Sequence, residues 1–111
     1  MKHNMKLRNE PYNSIYYNKK DIEMRLYDEK RKLIKVGDTI TFTNIDTLKK
    51  FDVEVVNLYR YDNFKSLYNN FDKRRLGYKN EESANYLDME KYYSKEEIKK
   101  YGVLGIEIRK M

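Results

Sequence analysis

The sequence predicts an α+β fold in which a small β-barrel carries flanking α-helices, and three patterns predict it. Apolar and polar residues alternate with the period of a strand at Ile22, Met24 and Leu26 against Glu23, Arg25 and Tyr27, and again at Ile40 and Phe42 against Thr39, Thr41 and Thr43. The apolar stretch over 50–61 slips phase between Val55 and Val56, the bulge or sharp bend that closing a small barrel requires. Helical spacing then takes over: Phe64, Leu67, Tyr68 and Phe71 fall at i, i+3, i+4 and i+7, and Ser94 to Glu97 has the form of a capping box.

Taken in order, the first strand covers about 4–8, and residues 1–4 read as a frayed tail that includes the sole histidine, His3. Glu10-Pro11 opens a helix through Tyr17, with proline in the first turn, where its missing N–H costs nothing. A second strand over 21–27 leads to the charged connection 28–35, which Leu33 and Ile34 tuck against the barrel. The Gly37-Asp38 turn enters the third strand, with Ile40 and Phe42 inward, and the fourth runs over 50–61. Past its slip, Asn57, Tyr59 and Tyr61 share one face. Asp62 reads as the N-cap of the helix that carries Phe64 and Leu67, and the basic cluster Lys73-Arg74-Arg75 interrupts that helix and offers contacts to phosphate. A further helix is expected from Glu82 to about Tyr92, another from the capping box to Gly102, and a last strand over 103–109 with Leu104, Ile106 and Ile108 inward. Gly105 faces the other way, open to close approach by a ligand or a neighbouring chain. No repeat or low-complexity linker divides the chain, so residues 1–111 read as one domain.

Composition bounds the chemistry. Leu, Ile, Val and Phe total 26 of 111 residues and twelve tyrosines add apolar area, enough for a folded domain with a modest core. The absence of cysteine removes disulfides and thiolate metal sites, and with one histidine no Ser-His-Asp triad or histidine metal cluster can form. Four scattered glycines supply neither a phosphate loop nor a dinucleotide fingerprint, so no cofactor and no metal is expected. No apolar run reaches the roughly 20 residues of a membrane span, and the polar start does not suit a signal peptide; a cytoplasmic protein with no membrane contact is the expectation.

Charge is informative where it is located. Residues 1–35 hold ten Lys or Arg against five Asp or Glu, whereas 36–111 hold fourteen against thirteen. A positive field confined to one region attracts polyanions, which makes RNA or a nucleotide the expected partner. Within that region Glu23 and Arg25 stand two residues apart on one face of the second strand, and Lys20, just before it, converges with them. Arg25 can present a planar fork of donors to a phosphate or a base edge, Lys20 adds a mobile point charge, and Glu23 can accept from an exocyclic amine. The same residues equally suit a structural ion pair between Glu23 and Arg25 that holds the strand in place.

Asn18-Lys19-Lys20-Asp21-Ile22-Glu23-Met24-Arg25 resembles the Gly-x-Lys-x-x-Glu-x-Arg signature of the ASCH (activating-signal-cointegrator homology) domain, a β-barrel module of the PUA-like fold. Met5 to Tyr12 is similar to the family's opening strand and first helix, and Val36 to Phe42 to its Gly-Asp-entered third strand. Asn18 replaces the usual glycine, a mild change because asparagine tolerates positive φ, and Asp21 stands where many members have threonine. The resemblance implies a small mixed, mostly antiparallel barrel of PUA-like fold and an RNA-related role in the cleft between barrel and helices, with Arg8, Asn9, Tyr59 and Tyr61 as further lining residues. It also implies an alternative, an amidohydrolase acting on an acylated nucleobase such as N4-acetylcytidine. The enzymatic branch resembles this chain in having a lysine at the place of Lys20, but its catalytic threonine is replaced here by Glu23; Glu23 would then activate water, and Lys20 polarise the carbonyl or act as base. A protein-interaction accessory domain is the third reading.

Overall fold

The computed structural model describes residues Met1 to Met111. Strands β1 (Lys2–Leu7), β2 (Ile22–Leu26), β3 (Thr39–Asn44), β4 (Lys50–Tyr61) and β5 (Val103–Lys110) form one curled sheet in the order β1-β3-β4-β5-β2. β1 and β3 run parallel and every other pair antiparallel, so the sheet is mixed and mostly antiparallel, a half-barrel of PUA-like form. Helices α1 (Asn9–Tyr17), α2 (Phe64–Tyr68) and α3 (Lys95–Tyr101), with short 3-10 turns at 31–33, 73–76 and 86–91, complete the chain.

The strand period sorts side chains into two cores. Met5, Leu7, Ile40, Phe42, Val53, Val55, Leu104 and Ile106 fill the concave side with Tyr12 and Ile15 of α1. On the convex side Ile22, Met24, Leu26 and Val103 pack under Phe64, Leu67, Leu76 and Met89. The apolar set of β2 therefore faces the helices, and its polar set shares the barrel side of β5: Glu23 is opposite Ile106, and Arg25 opposite Leu104. Both predicted strand patterns and the slip in β4 are present. Val55 pairs with Ile108 and Asn57 with Glu107, which leaves Val56 unpaired and turned outward.

Five expectations need correction, the first being Leu33, which is 60 % exposed and leaves Ile34 alone to tuck the connection over 28–35 against the barrel. Residues 1–4 are not a frayed tail, because Lys2 pairs with Thr39 and His3 with Ile40, and the buried His3 imidazole shares a 2.8 Å hydrogen bond with Asp38 Oδ2. That bond and the Lys35 N–H hold the Asp38 carboxyl well below the usual carboxylate range. The cap of α2 is Asn63, whose Oδ1 accepts from Ser66 N at 2.9 Å, and the helix ends at Tyr68. Phe71 leaves the helix to pack its ring against Tyr59 and Tyr61. The helix expected over 82–92 is only a 3-10 turn at Tyr86–Lys91: Met89 alone is buried there, too little apolar contact to stabilise several turns.

The capping box forms as the sequence requires, Ser94 Oγ accepting from Glu97 N while Glu97 accepts from Ser94 N, each at 3.1 Å. Gly105 is indeed a point of close approach, but the approaching groups are the chain's own. A Cβ there would lie 3.4 Å from both Ile22 Cγ2 and Leu67 Cδ1. Gly105→Val should consequently destabilise the protein by about 2 kcal/mol, with Gly105→Ala much milder, as read by chemical denaturation.

Candidate functional site

The sheet order leaves β1 and β2 as its two edges, and the site sits in the seam between them. Glu23 is 3 % exposed, and both of its carboxylate oxygens are engaged. Oε1 lies 3.2 Å from Lys20 Nζ, and Oε2 accepts from Arg25 Nε at 2.9 Å and lies 2.8 Å from Arg25 Nη2. Arg25 Nη2 also donates to the backbone carbonyl of Lys6 in β1 at 3.0 Å, so one guanidinium spans the gap between the edge strands. Burial by itself would raise the Glu23 carboxyl; the adjacent Lys20 and Arg25 charges outweigh it and hold the group below its ordinary value.

Lys20 reaches the carboxylate because the loop before β2 is clamped from behind. Arg75 donates to both oxygens of Asp21, at 2.9 and 3.2 Å, and pairs with Glu107 at 3.1 Å, while Asp21 N donates to Arg75 O. Gly77, at φ +106°, packs against the lysine stem: a Cβ there would stand 3.1 Å from Lys20 Cδ. The cluster read as a phosphate contact is thus occupied internally, Arg75 in this clamp, Arg74 on Asp72 and Lys73 on the carbonyl of Asn80.

Beside the triad lies a hollow of about 270 Å³, walled by Arg8 and Pro11 at the start of α1 and by Met89, Tyr92 and Tyr93 from the segment before α3. Its lining carries four cations, Lys6, Arg8, Lys20 and Arg25, against the single carboxylate of Glu23. Of the further residues named from sequence, Arg8 belongs to this hollow. Asn9 instead accepts from Asn44 Nδ2 at 2.9 Å and borders a polar groove on the far side of Lys20. Tyr59 and Tyr61 do not join the triad. They pair with Gly105 and Val103 on the convex face, where Tyr59 donates to Glu107 at 2.8 Å and both rings meet Phe71. Sequence reasoning missed Tyr92 and Tyr93; their signal was two adjacent aromatic residues just before a capping box.

The ASCH domain family model matches residues 5–111. The chain belongs to the ASCH family. Two solved structures resemble this ASCH domain along its whole length. The crystal structure of hypothetical protein PH0355 is 34% identical with a TM-score of 0.84, all of both chains being covered. The solution NMR structure of protein PF0455 from Pyrococcus furiosus is 35% identical with a TM-score of 0.74, covering all of this chain and 98% of that one. No curated protein matches the chain.

The buried triad makes a measurable statement about stability. Glu23→Gln leaves two cations facing a neutral amide, and a loss of about 3 kcal/mol is expected by urea titration. Its acid dependence carries the sign of a depressed carboxyl. In the parent protein the contribution is complete above the ordinary glutamate value of 4.5 and disappears as pH falls through the lower folded value. The Glu23→Gln variant should lose that part of the acid slope.

Proposed function

We propose that this ASCH domain is an RNA- or nucleotide-binding module that receives a base or nucleotide in the hollow beside Lys20, Glu23 and Arg25. The observation that carries the reading is one buried carboxylate set among four cations and two tyrosines in a small open hollow. At about 270 Å³ it lies just under the roughly 300 Å³ at which pockets for drug-sized ligands begin, a size suited to one planar ring and its sugar. Glu23 retains lone-pair capacity for an exocyclic amine, Arg25 offers planar donors, and Tyr92 and Tyr93 present aromatic surface. The cationic excess favours a phosphate beside the ring.

The amidohydrolase reading is less well supported by the same geometry. A general base works best with a pKa near the working pH, whereas Glu23 is held below its ordinary value with both oxygens engaged. Purified protein incubated with N4-acetylcytidine should leave the substrate unchanged; release of acetate would reverse the order of the two readings.

Binding is tested at Arg8, an exposed residue whose side chain makes no hydrogen bond or ion pair. Arg8→Ala should leave the fold intact, weaken RNA binding and reduce the slope of log affinity against log salt by about 1. Affinity that is indifferent both to salt and to this substitution would refute the proposal.

A further inference from the structure

A larger hollow than the one beside the triad lies elsewhere on the molecule. It is a groove of about 1030 Å³ bounded by the end of β4, the start of α2, the 3-10 turn at 86–91 and α3. That turn is a partition between the two hollows: Tyr86, Leu87 and Glu90 line the groove, while Met89 lines the smaller hollow with Tyr92 and Tyr93.

Five cationic side chains line the groove against two carboxylates, Asp62 and Glu90. Lys95 stands 3.9 Å from Glu90, whereas Arg60, Lys65, Lys99 and Lys100 have no carboxylate within ion-pair distance. Unpaired cations gathered along a concavity add their fields there. Aromatic rings line the groove with them. Tyr86 is 37 % exposed, Tyr61 and Tyr101 are half-buried walls, and the Arg60 guanidinium lies 4.0 Å from the Tyr27 ring centre. Stacking fixes that guanidinium in place while its donors remain without carboxylate partners. Cations that follow a backbone, interleaved with rings that take unpaired bases, are the features by which proteins hold single-stranded nucleic acid. A duplex would hide its base faces from these rings, and an acidic peptide would use the charges but leave the rings idle.

We infer that this groove is a second contact surface, holding a single-stranded RNA segment that flanks the nucleotide bound at the triad. The inference rests on the proposed function for its choice of RNA as partner. Two probes separate them: a nucleoside monophosphate, which fills only the small hollow, and a twelve-nucleotide RNA, which reaches both.

The Lys65→Glu, Lys99→Glu, Lys100→Glu triple variant changes exposed residues only, and an unchanged melting temperature checks its fold. It should bind the twelve-mer at least tenfold more weakly in fluorescence anisotropy, with a salt slope lower by about 2, and bind the monophosphate as the parent does. Tyr86→Ala should weaken the twelve-mer alone. Parental affinity of the triple variant for the twelve-mer overturns the inference while leaving the triad reading intact. Sensitivity to the triple variant with no binding of the monophosphate refutes the triad reading and keeps the groove. Equal competition by an oligoglutamate, with Tyr86→Ala silent, overturns the groove inference in favour of an acidic protein partner.

Discussion

One guanidinium joins the two edges of this sheet. A five-stranded order that ends in β1 and β2 presents two rows of unpaired backbone groups to each other, and Arg25 bridges them by donating to the Lys6 carbonyl while held by Glu23. Lys30 makes a second crossing, from the connection after β2 to the Asn4 carbonyl at 3.2 Å. Side chains thus complete what strand pairing leaves open, which protects edges otherwise prone to pair with other chains. Because a side-chain bridge is wider than a backbone ladder, it leaves a hollow at the seam. The opening and the charged groups beside it have one origin.

Burying three ionised groups is an expensive way to close a barrel, since desolvation offsets much of the attraction and an apolar cluster of equal volume serves stability as well. What the ionic set adds is chemistry at the seam: fixed donors and a fixed acceptor in a partly dry hollow. The clamp behind Lys20 is built for the same position. Asp21, Arg75 and Glu107 fix the loop and the bare backbone of Gly77 packs on the lysine stem, although none of them lines the hollow beside Glu23. The residues that position Lys20 are therefore spread over three segments distant in sequence.

This spread explains what could be read from the chain and what could not. The strands were legible because alternation fixes which side of a strand is buried, and Glu23 and Arg25 share a face because a short spacing on one strand needs no tertiary knowledge; Lys20, ahead of β2, is brought to them by the clamped loop. The bulge at Val56 was legible from a break in phase. Long-range choices were not legible. His3 is ordered by parallel pairing with β3 and by Asp38, 35 residues away. Tyr59 and Tyr61 have the right phase for some face, but which face depends on β5 lying between β4 and β2. The segment before α3 had too little apolar pattern to reveal that it forms a wall of both hollows.

Net charge by segment misleads for a related reason. The second part of the chain is nearly neutral by count, with fourteen cations against thirteen carboxylates over 36–111, yet it carries a groove with a clear cationic excess. Most of its carboxylates are committed elsewhere, among them Asp38 to His3, Asp72 to Arg74, Glu97 to the cap of α3 and Glu107 to Arg75 and Tyr59. Each carboxylate so engaged acts on its own partner at short range, and the cations without one set the field in the groove. A charge total describes a sequence, but a binding surface is made from what the fold leaves unpaired.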